Sequence, residues 1–194
     1  LNRIIHYCNE IGSEISNNYC SKIQSRKRYH YKLLVESGKI QARYGVLRLI
    51  NELANSDIEQ FIVTTSGRDS IEPFLQTALN KHRNCFSRII TYEDVVNHKP
   101  HPDAYNLATE LSEKAHSNII VIEDSKIGVE AAKSAKLNCL LTLPTWLSDN
   151  HNISKKANAC VDTLGDFNVT TKLIYGKPLI NNYVDLSYLT TIIN

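Results

Sequence analysis

The stretch that most constrains the fold is residues 118–132, NIIVIEDSKIGVEAA. Its β-branched run, residues 119–122, predicts a strand that is buried on both faces. Glu123 and Asp124 follow at the carboxyl end of this strand, and Ser125 opens a helical pattern. A strand followed by a polar turn and a helix indicates an open α/β sheet, in which ligands bind at the carboxyl ends of the strands.

Two adjacent carboxylates at the end of a buried strand cost desolvation free energy unless they are paired. One interpretation is functional, because the oxygens of Glu123 and Asp124 are the hard ligands that Mg²⁺ prefers. The other is structural, with Asp124 capping the helix that follows. This stretch by itself leaves both interpretations open.

Strand and helix patterns alternate along the rest of the chain. After a helical region at 1–37, the hydrophobic spacing predicts helices at 46–54, 70–79, 103–115 and 186–193, and strands at 61–63, 88–91, 138–143 and 159–161. The last of these is expected to be a short edge strand. Such alternation indicates a parallel, doubly wound α/β sheet.

The composition narrows the classes of partner. The net charge is +2, and 42% of the residues are hydrophobic and 22% charged, so neither a nucleic acid nor a membrane is demanded. No apolar run approaches the roughly 20 residues of a membrane span. Basic residues between 22 and 32 are interpreted as a solvated helix face rather than a nucleic-acid patch. Five widely spaced cysteines indicate free thiols in a reducing compartment, the cytoplasm or a plastid.

Polar residues also follow the strand predicted at 61–63 and stand in a later loop. The hydroxyls and amides of Thr64, Thr65 and Ser66 could hold a phosphate, although such residues are also ordinary in turns. Lys99 lies in a loop that two prolines restrict, where its charge suits a phosphate or a carboxylate. The alternative is an ordinary exposed loop lysine. In a parallel sheet these segments and the carboxylate pair lie along one edge.

Together and in this order, these segments resemble the haloacid dehalogenase (HAD) superfamily of phosphatases. FIVTTSGRDS is similar to motif II, with Thr64 as its hydroxyl, and HKPHPDAY to motif III, with Lys99 as its lysine. VIEDSKIGVEAA is similar to motif IV, with Glu123 and Asp124 as metal ligands. Motifs III and IV are typical of the β-phosphoglucomutase, phosphoglycolate phosphatase and CbbY subfamily, and ARYGVLRLINEL and DTLGD most resemble the CbbY branch.

The resemblance implies a Rossmann-like, HAD-like core at 38–194 and the remaining part of a helical cap at 1–37. Arg3 falls where the caps of this subfamily place a phosphate-contacting arginine, and Lys32 is a weaker candidate for substrate binding. Thr65 and Ser66 would bind substrate beside Thr64. The expected cofactor is Mg²⁺, the expected partner is a small phosphorylated substrate, and the full-length protein is expected to be a monomer.

One departure from the family pattern concerns the nucleophile. The family's motif I, DxDGT, supplies the aspartate that attacks phosphorus and a second that transfers protons. This sequence contains no Asp-x-Asp and no methionine, and it begins at Leu1 in a helical pattern. We therefore expect that motif I and the first strand of the core precede this chain, and that the chain by itself is inactive.

The resemblance implies an Mg²⁺-dependent phosphatase of small sugar phosphates or bisphosphates that acts through an aspartyl-phosphate. A phosphotransferase of the β-phosphoglucomutase type is the first alternative, because motifs II to IV do not separate the two. The second alternative is a non-catalytic protein that uses the HAD fold for binding or regulation. Retention of Thr64, Lys99, Glu123 and Asp124 argues against the second alternative.

Overall fold

A computed structural model describes residues 5, 7, 8, 10–12, 16–143 and 152–193 of the chain. The helices are α1 (Asn17–Glu36), α2 (Val46–Ala54), α3 (Arg68–Thr77), α4 (Asp103–Ser112), α5 (Lys126–Ser134), α6 (Ile153–Lys156) and α7 (Leu186–Ile193). The strands are β1 (Gln60–Val63), β2 (Phe86–Ile90), β3 (Ile120–Glu123), β4 (Asn138–Thr142), β5 (Ala159–Val161) and β6 (Leu173–Tyr175). Among these helices none is both long and apolar enough to cross a membrane.

The chain divides into two compact units. The first comprises Leu1–Gln41 and Asp69–Asn80, and the second comprises Ala42–Arg68 and Lys81–Asn194. In the first unit, α1 begins after Ser16, whose hydroxyl oxygen accepts a hydrogen bond from the Tyr19 amide at 3.3 Å. The basic residues of α1 are exposed to solvent, as the sequence predicts. These are Lys22, Arg26, Lys27, Arg28 and Lys32.

The second unit holds the strands, and five of the six are parallel to a neighbour. β1 pairs with β2, while β4 pairs with β3 on one side and β5 on the other. The sequence did not predict β6, a three-residue strand that pairs antiparallel with β5. The expectation that residues 159–161 form an edge strand is therefore wrong, because β5 lies between β4 and β6. β1 and β3 each keep one edge that no other described strand covers.

The core of this unit lies on both faces of β4, as a doubly wound sheet requires. Successive residues of a strand point to opposite faces. Cys139 and Leu141 belong to one buried cluster, with Val129 of α5, and Leu140 belongs to the other, with Tyr188 of α7. Each of these side chains is fully buried. Burial on both faces explains why the middle of β4 is a continuous apolar run in the sequence.

Asp185 fixes the start of α7, and its loss should weaken the fold in a pH-dependent way. Its carboxylate accepts hydrogen bonds from the Tyr188 amide at 2.8 Å, the Ser187 hydroxyl at 2.7 Å and the Asn181 amide at 2.6 Å. Burial raises the pKa of Asp185, and these hydrogen bonds outweigh it, so that the pKa lies below its ordinary value. We expect Asp185→Ala to cost about 1 kcal/mol of unfolding free energy at neutral pH.

A carboxyl whose pKa is lowered on folding stabilises the protein above its unfolded pKa of about 3.9, and this contribution disappears as the pH falls through the lower, folded pKa. Urea unfolding of the two proteins between pH 7 and pH 3 should therefore show the difference narrowing with acidity. A difference that stays constant over this range would mean that the charge of Asp185 plays no part.

Candidate active site

A cavity of about 330 Å³ opens in the second unit at the carboxyl ends of β1 and β3. Five of the residues that the sequence singles out line this cavity: Thr64, Thr65, Lys99, Glu123 and Asp124. They come from three separate segments of the chain. β1 and β3 belong to different sheets, and Lys99 joins their ends because it donates hydrogen bonds to both the Val63 carbonyl and the Glu123 carboxylate.

The Lys99 ammonium is buried and fully engaged within the protein. It donates hydrogen bonds to the Val63 carbonyl at 3.0 Å, the Tyr105 hydroxyl at 2.8 Å and the Glu123 carboxylate at 2.5 Å. The Lys99 side chain is 6% exposed and that of Glu123 is 8% exposed. An ammonium has three N–H donors, so these three acceptors account for all of them. Lys99 can therefore act on a ligand in this cavity through its charge.

Glu123 is the counterion of Lys99, and both of its carboxylate oxygens are occupied. Oε1 accepts from Lys99 and from the Tyr105 hydroxyl, while Oε2 accepts from the Asp124 amide and the Ser125 hydroxyl, each at 3.2 Å. The carboxylate packs directly against Gly128, where an added Cβ would lie 1.9 Å from Glu123 Cδ. The assignment of Glu123 as a metal ligand stays a prediction, and these contacts give its carboxylate a second, structural role.

Tyr105 belongs to this cluster although sequence reasoning assigned it no role. It lies in the first turn of α4 and is 4% exposed. Burial raises the pKa of Tyr105 well above its ordinary value, and the neighbouring Glu123 carboxylate raises it further. The hydroxyl therefore stays protonated and donates to Glu123 while it accepts from Lys99. One available signal was a tyrosine in the first helical turn after the lysine loop.

Asp124 differs from Glu123 in that its carboxylate is exposed. The helix α5 is capped by Ser125, whose hydroxyl oxygen accepts the Gly128 amide at 3.1 Å. The interpretation of Asp124 as the cap is therefore wrong, since the next residue fills that position. Within the described part of the chain no group donates a hydrogen bond to the Asp124 carboxylate, and this leaves its oxygens available to a cation at the cavity.

The hydroxyl turn after β1 has a defined geometry. The Thr64 hydroxyl oxygen accepts the Ser66 amide at 3.0 Å, which leaves the Thr64 O–H to donate. Thr64 is half-buried, whereas Thr65 and Ser66 are exposed. Ser66 is not among the residues that line the cavity, so its assignment to substrate binding stays a prediction.

Arg43 is a second cationic residue at the cavity that sequence reasoning did not single out. Its guanidinium donates to the Thr142 hydroxyl at 2.9 Å and to the Asp162 carbonyl at 2.9 Å. Thr142 in turn donates to the Glu123 carbonyl at 3.2 Å. These bonds hold Arg43 at the ends of β4 and β5, where it adds positive charge to the cavity wall.

Two of the predicted substrate-binding residues belong to the first unit. Arg3 lies outside the residues that the structure describes. Lys32 is exposed on α1, with its ammonium 3.7 Å from the Glu36 carboxylate. Both assignments stay predictions.

The fold belongs to the α/β class, in which ligands bind at the carboxyl ends of parallel strands. The family model described as haloacid dehalogenase-like hydrolase matches residues 2–142. The chain belongs to this family of hydrolases.

The curated relatives include CbbY proteins and a phosphatase. A CBBY-like protein of Arabidopsis thaliana is 27% identical over 148 residues, which cover 76% of this chain and 46% of the relative. Protein CbbY of Cereibacter sphaeroides is 29% identical over 62% of this chain and 53% of the relative. A phosphorylated carbohydrates phosphatase of Thermotoga maritima is 31% identical over 72% of this chain and 61% of the relative. The chain thus spans about half the length of the CbbY-type relatives it matches.

Solved structures give the same fold. CbbY of Rhodobacter sphaeroides, crystallised as a mutant in complex with xylulose-(1,5)bisphosphate, has a TM-score of 0.68 and is 25% identical, covering 76% of this chain and 65% of the neighbour. A HAD hydrolase of Entamoeba histolytica has a TM-score of 0.74 over 96% of this chain and 76% of the neighbour. At 21% identity, the second likeness concerns the fold alone.

Proposed function

We propose that this chain carries the phosphate-binding and metal-binding part of an Mg²⁺-dependent phosphatase that acts on small sugar phosphates or bisphosphates. The observation that carries the proposal is the convergence of Thr64, Lys99 and Asp124 on one cavity. These are a hydroxyl, a fixed positive charge and a free carboxylate, which together suit a phosphate and its metal ion. The phosphorylated carbohydrates phosphatase and the CbbY structure in complex with xylulose-(1,5)bisphosphate support a sugar phosphate as the substrate class.

The cavity offers Mg²⁺ one available carboxylate, which fits the way this ion is usually bound. Mg²⁺ keeps several waters and is usually held by one or two carboxylates together with substrate phosphate oxygens. Asp124 supplies one exposed carboxylate, whereas the oxygens of Glu123 already accept four hydrogen bonds. We therefore assign Asp124 as the ligand that this chain offers. When bound, the ion neutralises charge on the phosphate oxygens.

The residues of the chain divide the remaining work in the proposed reaction. Lys99, held by three acceptors, contributes a fixed positive charge that offsets the negative charge of the phosphate. Its ammonium is already in place and need not move during the reaction. The Thr64 hydroxyl donates to a phosphate oxygen, which can only accept, while its own oxygen accepts the Ser66 amide. The attacking carboxylate would come from an Asp-x-Asp segment, which this sequence does not contain.

The open edges of β1 and β3 support a position for that segment. Lys99 reaches from the Val63 carbonyl at the end of β1 to Glu123 at the end of β3. Ile122 of β3 is 38% exposed and lines the cavity with Val46 and Val63, so that the wall is partly apolar. We propose that an extended segment covers these edges and carries the attacking carboxylate to the cavity.

The first test is an assay of the chain as it stands. We expect the purified 194-residue protein to release no phosphate above background from a panel of sugar phosphates and bisphosphates with Mg²⁺. A turnover that depends on Mg²⁺ and disappears in Asp124→Asn would overturn this expectation. Such activity would also decide between the two enzymatic alternatives, because free phosphate marks a phosphatase and an isomerised sugar phosphate marks a mutase.

The second test measures binding without turnover. We expect the chain to bind inorganic phosphate in the presence of Mg²⁺, as followed by ³¹P NMR titration. Asp124→Asn should weaken this binding at least about tenfold, the loss typical of changes around metal sites. Glu110→Gln, which alters an exposed carboxylate on α4, serves as the matched control. Binding that is independent of Mg²⁺ and unchanged in Asp124→Asn would contradict the assignment.

The proposed environment is a reducing compartment, the cytoplasm or a plastid. None of the five cysteines, all of which the structure describes, forms a disulfide bond, which supports this proposal. Burial raises the pKa of the Cys139 thiol to about 12, and the nearby Glu123 carboxylate adds to the shift, so this thiol stays protonated. The monomeric state of the full-length protein stays a prediction.

A further inference from the structure

A turn that sequence reasoning left without a role lies against the phosphate-binding loop. This turn, Tyr92–Asp94, follows β2 and Thr91. It is stabilised by the Asp94 carboxylate, which accepts hydrogen bonds from the Thr91 amide at 2.8 Å and from the Thr91 hydroxyl at 2.7 Å. Thr91 is 1% exposed, so the base of the turn is anchored in the protein interior.

The turn holds the loop at residues 64–68 on both sides of Gly67. The Tyr92 amide donates to the Ser66 carbonyl at 3.1 Å. The Glu93 carboxylate accepts the Arg68 amide at 3.2 and 3.3 Å from its two oxygens. The Arg68 guanidinium also donates to Asp94.

Only part of this contact depends on side chains. The Thr64 amide donates to the Ile90 carbonyl at 2.9 Å, and the Ser66 carbonyl accepts from a backbone amide, so both bonds exist whatever the side chains are. The bond to the Arg68 amide, in contrast, requires the Glu93 carboxylate. Gly67 leaves the space for it, since an added Cβ would lie 2.5 Å from Glu93 Oε1.

The same turn also touches the lysine loop. The rings of Tyr92 and His98 are stacked, with centroids 3.7 Å apart and planes at 25°. His98 directly precedes Lys99. The Tyr92–Asp94 turn therefore connects the two segments that carry Thr64 and Lys99.

We propose that Glu93 is a positioning residue that fixes the backbone of residues 64–68 for phosphate binding. The inference rests on the proposed function, because it takes this loop to be the phosphate-binding one. A carboxylate beside a phosphate would by itself repel the ligand, so the benefit of Glu93 must come from the hydrogen bond that it accepts. Its charge is partly balanced by the exposed Arg68 guanidinium, which forms its ion pair with Asp94 of the same turn.

The test separates the hydrogen bond from the charge with two variants of one residue. Glu93→Ala removes the acceptor, whereas Glu93→Gln keeps one acceptor oxygen and removes the charge. Glu110→Ala, which truncates an exposed glutamate on α4, is the control. The readouts are amide hydrogen exchange at Ser66 and Arg68, the affinity for inorganic phosphate with Mg²⁺, and the urea midpoint.

We expect Glu93→Ala to speed exchange at Ser66 and Arg68 and to weaken phosphate binding about tenfold, as the loss of one hydrogen bond to a charged group implies. The phosphate affinity of Glu93→Gln should stay within about threefold of that of the unaltered chain, since the acceptor remains. The affinity of the control, Glu110→Ala, should equal that of the unaltered chain. The urea midpoint should change little in any variant.

Three outcomes would overturn the inference. The first is unchanged exchange at Ser66 in Glu93→Ala. The second is tighter phosphate binding in both Glu93 variants, which would show that the charge only repels the ligand. The third is a loss of affinity that follows a general loss of stability. If the unaltered chain binds no phosphate, the proposed function fails, and the exchange measurement still decides whether Glu93 fixes the loop.

Discussion

Replacing Lys99 by methionine is expected to lower the free energy of unfolding by about 3–5 kcal/mol. Methionine has similar length and no charge, so the substitution leaves the Glu123 carboxylate buried without its counterion. Glu123 would keep the hydrogen bonds from Tyr105 and from the amide of Asp124, but these neutral donors do not replace a full positive charge. Urea unfolding followed by circular dichroism measures the loss.

A double-mutant cycle shows whether the loss comes from the pair. Glu123→Gln alone leaves the ammonium without its carboxylate, and the combined Lys99→Met/Glu123→Gln variant buries no charge at this position. We therefore expect the double variant to be less destabilised than the sum of the single variants, by about 2 kcal/mol or more. Costs that simply add would mean that the two side chains act independently, against the 2.5 Å contact between them.

An exposed ion pair of the same unit provides the control. The Lys156 ammonium lies 3.1 Å from the Glu130 carboxylate, with the two side chains 48% and 30% exposed. Because water already solvates both charges, we expect Lys156→Met to cost less than about 1 kcal/mol. The contrast between the two lysines isolates burial as the cause.

The sequence could predict where the candidate site lies because each strand pattern and the polar residues that follow it are adjacent in the sequence. The apolar run before Glu123 forms β3, which lies one residue later than the predicted strand at 119–122. The run before Thr64 forms β1. The polar residues that follow β1 and β3 converge as the sequence predicts, although the two strands belong to different sheets, because Lys99 contacts the ends of both. The family resemblance supplied the predicted roles of these residues, which stay predictions.

What the sequence could not predict was which side chains pair with one another. Glu123 and Asp124 are adjacent and chemically alike, yet one turns inward to Lys99 and the other stays exposed. Successive residues of a strand point to opposite faces, and this rule already argued against equal roles. Tyr105 could not be assigned in the same way, because the spacing of a helix fixes the face of a residue but not the partner of its hydroxyl.

Short elements without a pattern were also missed. β6 has three residues, two of them exposed, so neither alternation nor an apolar run marks it in the sequence. The Tyr92–Asp94 turn escaped notice for a similar reason, because its importance comes from contacts with residues 64–68, which are distant in sequence.

The second large effect is expected at Gly128, where an added methyl group would meet a carboxylate that has no room to move. In Gly128→Ala the new Cβ would lie 1.9 Å from Glu123 Cδ, so either α5 or the carboxylate must shift. The carboxylate is held by the ammonium of Lys99 and by the Tyr105 hydroxyl, and displacing it breaks the buried pair. We expect a loss of about 3 kcal/mol, even though alanine favours a helix by about 1 kcal/mol over glycine.

Gly67→Ala is the matched control, since its Cβ would also meet a glutamate oxygen, Glu93 Oε1, at 2.5 Å. Glu93 is exposed and can swing into solvent, so the stability cost should stay below about 1 kcal/mol. The Glu123→Ala background provides a further check, because it removes the atoms that Gly128→Ala would meet. There the Gly128 substitution should cost almost nothing. An undiminished cost in that background would place the conflict in the backbone of α5, and Glu123 would then not be the reason that glycine stands at this position.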